Sequence, residues 1–134
     1  MDLEYSPQYH WLDEDQTVLM VTYQEKVRIE SFRAAMDYLL ECFEATDGPV
    51  HYISDLRTLK TISGRLLGSA PEMAQHPFFT HPNRGLHVGV TNFALLKRMA
   101  DIFSSVFWEL RLVSTMEDAY DYIEQNTGID LKPS

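Results

Sequence analysis

Leu110-Arg111-Leu112-Val113-Ser114-Thr115-Met116-Glu117-Asp118-Ala119 runs from a short β-forming stretch straight into a helix start. Leu110–Val113 reads as a strand. Ser114 and Glu117 stand at capping-box spacing, in which each side chain reaches a free backbone N–H at the helix start. Met116, Ala119, Tyr120 and Ile123 then share one helical face, and Gly128 suits the helix end. A strand passing directly into a helix is the unit of an α/β domain.

The same unit recurs upstream. Residues 9–13 and 18–23 read as two strands joined by the acidic turn Asp13-Glu14-Asp15-Gln16, which predicts an antiparallel hairpin. Phe32, Ala35, Met36, Leu39, Leu40 and Phe43 follow at helical spacing. Glu30 or Ser31 can cap that helix, and Gly48 with Pro49 ends it, Gly48 suiting the left-handed position. Val50-His51-Tyr52-Ile53-Ser54-Asp55-Leu56 is the next strand. Arriving after a helix, it is predicted to pair parallel to residues 18–23 through a right-handed crossover. Leu66, Leu67, Ala70 and Met73 allow a helical face, in which Pro71 either disrupts an interior helix or marks the first turn of a shorter one. His76-Pro77 and His81-Pro82 bracket a loop containing Phe78 and Phe79. Gly85–Thr91 reads as a strand. Asn92 then caps a helix whose apolar face is Phe93, Leu96, Met99, Ala100, Phe103 and Phe107. Cys42 sits near the buried edge of the first helix, where a small apolar role fits it best.

The bulk properties limit the function classes. A chain of 134 residues suits one domain over 1–134. One cysteine cannot form an internal disulfide, and the acidic start Met1-Asp2-Leu3-Glu4 does not resemble a signal peptide. Both favour a cytoplasmic setting. No apolar run is long enough for a transmembrane segment. The net charge of −9 opposes nucleic-acid binding. The charge is uneven: residues 1–55 carry 12 acids against 3 bases, and residues 56–115 carry 3 against 7. The middle of the chain could thus form a local basic face, or its Lys and Arg could simply solvate helices.

Strong catalytic signatures are missing from the sequence. There is no P-loop, Gly-x-Gly-x-x-Gly or Gly-x-Ser-x-Gly, and Cys42 lacks the setting of a nucleophile. His76, His81 and His87 are spaced too loosely for a zinc site without a second ligand cluster. No metal or cofactor is expected. The best site candidate is the loop Asp55, Arg57, Thr58, Lys60, Ser63, Gly64 and Arg65, because open α/β sheets carry their sites at the carboxyl ends of strands. Its bases and hydroxyls could bind an anion or accept a phosphate. It could equally be a solvated loop in which Asp55 bonds nearby N–H groups. Met73, Phe78 and Phe79 could line an apolar pocket. Phe78, Phe79, Phe107 and Trp108 could instead serve the core or a homodimer surface.

The element order over residues 9–126, the strand ending in Asp55-Leu56 and the closing Val113-Ser114-Thr115-Met116-Glu117-Asp118-Ala119 resemble the STAS family, which includes anti-sigma-factor antagonists. Within it, the chain looks most like the SpoIIAA-like branch, which also resembles the CRAL-TRIO lipid-binding fold. The family's phosphoswitch is an Asp-Ser-x-Gly loop beyond the strand's Asp. Here Thr61-Ile62-Ser63-Gly64 keeps the Ser-Gly part and lacks the preceding Asp. The resemblance therefore carries over Ser63 alone.

The expectation is an α/β domain with a mixed, mostly parallel sheet of about five strands. It has an N-terminal antiparallel hairpin and about four flanking helices. It would act without catalysis as an interaction or regulatory module, whose partner is another protein or a second copy. One alternative is a carrier of a small apolar or amphipathic ligand. The other is an enzyme using His76 or His81 as a base, which requires a carboxylate or hydroxyl within reach of the imidazole.

Overall fold

The structure, a computed structural model, describes residues 7–62, 72, 75–92 and 110–131. Strands β1 (Gln8–Trp11), β2 (Val18–Thr22) and β3 (Lys26–Val27) precede helix α1 (Ile29–Glu44). Strands β4 (Val50–Asp55) and β5 (Thr61–Ile62) follow. A 3-10 turn at Pro77–Thr80 comes next, then β6 (Arg84–Val90), β7 (Leu110–Val113) and helix α2 (Met116–Thr127).

Five strands form one sheet in the order β1-β2-β4-β6-β7. The tight acidic turn pairs β1 antiparallel to β2, with Tyr9 opposite Val21. Asp13 holds that turn by accepting from the Thr17 and Val18 N–H groups at 2.9 and 3.0 Å. The remaining pairs are parallel, as intervening crossovers require. A smaller two-stranded sheet pairs β3 with β5, which the residue pattern did not announce.

The helices cover opposite faces. On one, Ala35, Met36, Leu39 and Phe43 of α1 bury Leu19, Val21, Val50 and Tyr52. On the other, Ala119 and Ile123 of α2 bury Val18, Met20, Ile53, Val88 and Val90. All six β4 residues are buried, because this strand is central and covered on both faces.

Several expectations need correction in detail. Two α-helices are found among the described residues, against about four expected. The proposed helix over 93–107 and the face formed by Leu66, Leu67, Ala70 and Met73 lie outside the described residues. Helix α1 begins at Ile29, with Arg28 in the capping position. Ser31 sits three residues later and accepts from the Arg28 N–H at 3.2 Å. The helix ends at Ala45 rather than through a left-handed Gly48; Gly128 is the described glycine with positive φ. A distant side chain explains the difference: Asn83 Nδ2 donates to the Phe43 and Thr46 carbonyls, at 2.9 Å each. At α2 the cap is Thr115, not Ser114. Its extended backbone lets Oγ1 accept from the Asp118 N–H at 3.1 Å. Gly128, with φ 81°, closes α2 in the left-handed conformation that favours glycine.

Phe43 has no exposed surface, and its ring meets those of Tyr52, Phe78 and His81. Phe43→Ala is therefore expected to cost about 3–5 kcal/mol, read as a lower denaturation midpoint by circular dichroism. A loss under 1 kcal/mol would contradict this packing.

Candidate functional site

Asp55 ends β4, and the loop after it is stitched down on three sides. Its Oδ1 accepts from the Arg57 backbone N–H at 3.1 Å and from Arg57 Nε at 2.9 Å. Its Oδ2 accepts from Nη2 at 2.9 Å, completing a two-pronged guanidinium–carboxylate pair. Burial alone would raise the Asp55 carboxyl. Hydrogen bonds from Arg57 outweigh it and hold the carboxyl below its ordinary range. The Leu56 N–H reaches the Val90 carbonyl, and the Tyr23 N–H reaches that of Asp55. Leu56 and Leu59 anchor the loop from beneath, 7% and 8% exposed. The Lys60 N–H donates to the Glu25 carbonyl at 2.9 Å, just before β3 and β5 pair. Lys60 Nζ also lies 3.3 Å from Glu25, but both side chains are exposed, so this ion pair adds at most about 1 kcal/mol. Arg57, Thr58 and Lys60 face solvent from this fastened loop. Ser63, Gly64 and Arg65 lie outside the described residues.

A chain of polar groups runs along the α1-facing side of β4 and β6. Ser54 Oγ is 2.8 Å from His87 Nε2, and the Tyr23 hydroxyl bonds Ser54. The His87 ring stacks on Tyr52 with 4.1 Å between centroids. Arg84 Nε donates to the Tyr52 hydroxyl at 3.3 Å. His87 keeps some solvent-reachable surface, yet its ring lies deep among protein atoms. Desolvation, with the Arg84 charge assisting, pushes its pKa down to about 3. Burial pushes the Tyr52 hydroxyl up to about 12, against the pull of Arg84. Strand parity makes this cluster: Tyr52 and Ser54 share one face of β4, and His87 is registered opposite Tyr52. Two inward polar residues on covered strands were the available signal, though pairing them requires the register.

Chemically, Ser54 and His87 have the spacing of a nucleophile and base. A base titrating near 3 takes few protons at neutral pH, where efficient general bases titrate close to the working pH. The other histidines serve the backbone. His76 Nδ1 accepts from the Phe78 N–H at 3.1 Å, leaving Nε2 to donate to Asp37 Oδ1 at 2.8 Å. A carboxylate is within reach, but both ring nitrogens are committed. His81 Nδ1 accepts from the Asn83 N–H at 3.0 Å, and the ring packs on Phe43. Among the described residues no group of three or more His, Cys, Asp or Glu could hold a metal ion.

The aromatic pair in the 3-10 turn sits against the core. Phe78 is 3% exposed, and Phe79 meets its ring edge-on at 4.4 Å. The Arg84 guanidinium lies 5.6 and 5.4 Å from the two ring centres. A groove of about 350 Å³ lies nearby between α1 and Glu72, Gln75 and His76, but only Met36 in its described lining is apolar. Met73, Phe107 and Trp108 lie outside the described residues. No helix among the described residues is long and apolar enough to cross a membrane.

Comparison of this architecture with solved structures defines the fold class. The chain is similar to an uncharacterised protein of the DUF3478 family with a SpoIIAA-like fold from Shewanella loihica PV-4. The TM-score is 0.59 at 12% identity, over 87% of this chain and 91% of that one. It is also similar to an anti-sigma factor antagonist from Mycobacterium paratuberculosis, with a TM-score of 0.57 at 13% identity, over 89% and 93% of the two chains. The fold is thus STAS-like. No family model and no curated protein matches the chain.

The His87 environment predicts a pH dependence. The folded pKa is near 3 against an ordinary 6.5, so between these values the unfolded chain binds the extra proton. The His87 contribution is fully present above 6.5 and is lost as pH drops toward 3, by up to about 1.4 kcal/mol per pH unit. His87→Gln should flatten urea-derived stability across that window. An unchanged slope would show that His87 is not the titrating group.

Proposed function

We propose that the chain works as a single, non-catalytic STAS-like domain over residues 1–134, a regulatory module that docks a partner protein through the loop after β4. The observation that carries this reading is the fastening of the loop. Asp55, Leu56, Leu59 and the β3–β5 pair hold its backbone, while Arg57, Thr58 and Lys60 stay exposed. A surface fixed before binding loses little conformational entropy on docking. Likeness to the fold of an anti-sigma factor antagonist supports the same reading. Ser63, which follows β5 in the sequence, is the candidate phosphate acceptor, since a phosphate there would reverse the local charge. The commitment of both His76 nitrogens favours this reading over the enzyme. The burial of Phe78 favours it over the apolar carrier.

A photo-crosslinking amino acid at position 58, introduced in the native host, tests the proposal. Discrete protein adducts should form there and not from position 41, on the exposed side of α1. Combining the probe with Arg57→Glu and Lys60→Glu should remove them, because rim charges govern encounter. Equal adducts at both positions, or adducts indifferent to charge reversal, would exclude this loop as the docking surface.

A further inference from the structure

At the opposite end of the sheet lies a cleft of about 730 Å³. Its walls are the β1–β2 turn (Asp15, Gln16, Thr17), the chain leaving α1 (Ala45–Pro49), His51, and the end of α2 (Asn126, Thr127, Ile129). Two features show what it could hold.

The first is His51. This residue is 8% exposed, and its Nδ1 accepts from the Leu86 N–H at 2.9 Å. An accepting Nδ1 places the neutral ring's proton on Nε2. Nε2 finds no protein partner among the described residues. No fully buried side-chain polar atom there goes unpartnered either, so Nε2–H must reach open space. The space His51 borders is the cleft. The ring's seat is built for it: β6 carries one extra residue opposite β4 here, and Gly85 lies against the imidazole. A Cβ on Gly85 would meet that ring and come within 2.7 Å of the Val50 carbonyl oxygen. His51 is thus held through Nδ1 at the wall of the cleft, with Nε2–H available to an acceptor there.

The second is charge. Asp15 and Asp47 line the cleft, both exposed, and no basic residue does. The carboxyl ends of α1 and α2 both face it, and neither helix has a basic residue in its last turn. Helix ends of this kind carry partial negative charge. Asn83 satisfies two α1 carbonyls, but with a neutral amide. The cleft therefore repels anions and favours a cation, while His51 asks for a neutral oxygen acceptor.

We infer that this cleft binds a basic peptide segment of a partner protein, with a Lys or Arg side chain against Asp15 and Asp47 and a backbone carbonyl accepting from His51 Nε2–H. A peptide supplies both groups in one repeat, and the cleft's size lies within the usual range of ligand sites. This surface is separate from the loop after β4, and the inference does not depend on that loop's role.

The test uses the intact protein, ¹⁵N-labelled, titrated at low ionic strength with acetyl-Gly-Arg-Gly-amide. The control is the same peptide with citrulline, which keeps the shape and loses the charge. Saturable amide shifts are expected at Gln16, Gly48 and Thr127, with the arginine peptide bound about threefold tighter, the scale of an exposed ion pair. Asp15→Asn with Asp47→Asn, two exposed changes, should abolish that preference. His51→Leu should weaken both peptides alike. Equal binding of the two peptides, shifts centred on Arg57 and Lys60, or no saturation would each overturn the inference. Ethylammonium binding as tightly as the arginine peptide would overturn it too, reassigning the cleft to small amines.

Discussion

A central strand with every residue buried constrains the whole molecule. β4 is covered by α1 on one face and α2 on the other, and paired by β2 and β6 at its two edges. Apolar Val50 and Ile53 meet that constraint by packing. The polar residues on the strand must instead find partners, because an unpaired buried polar group costs about 1–3 kcal/mol. His51 takes the Leu86 N–H, Ser54 takes His87, and Asp55 takes Arg57. Each is thereby fixed in direction. The strand that holds the fold together is also the one that aims its polar groups.

The directions divide by position. At the carboxyl end, Asp55 pulls Arg57 down and shapes a loop that shows solvent its bases and Thr58. In the middle, Ser54 and His87 face the α1 side and remain neutral. At the amino end, His51 faces the α2 side and lines the acidic cleft. Burial lowers the pKa values of both His51 and His87, although for His51 nearby Asp13 opposes it. Neutral imidazoles at fixed points suit hydrogen bonding to a partner or to the fold better than proton transfer. The same burial that stabilises the sheet thus disfavours the charged form of both imidazoles.

How much of this was legible depends on the range of the interactions involved. Local periodicity located all five strands of the main sheet, the hairpin and the faces of α1 and α2, because strand and helix spacing repeat within a few residues. Boundaries moved where a distant group intervened. Asn83 finishes α1 without a left-handed Gly48, and Thr115 displaces Ser114 by one position through its backbone angle. The β3–β5 pair escaped notice because two-residue strands carry no period. Within the site, Asp55 and Arg57 are neighbours in sequence, and their turn could be anticipated. Ser54 with His87, and His51 with Leu86, are brought together only by the register between β4 and β6, including its extra residue. Register is a property of two strands and cannot be read from either alone.

The acid that the STAS pattern places before the switch serine is missing ahead of Ser63 in this sequence. In this chain the acid nearest the loop's start, Asp55, is engaged by both a side chain and a backbone N–H of Arg57. It serves to hold the loop. Under the proposed function, partner choice rests on the loop's exposed bases, whose charge a phosphate at Ser63 would reverse. The two ends of one sheet thus carry opposite charge, with Arg57 and Lys60 exposed after β4 and Asp15 and Asp47 lining the cleft at the other end.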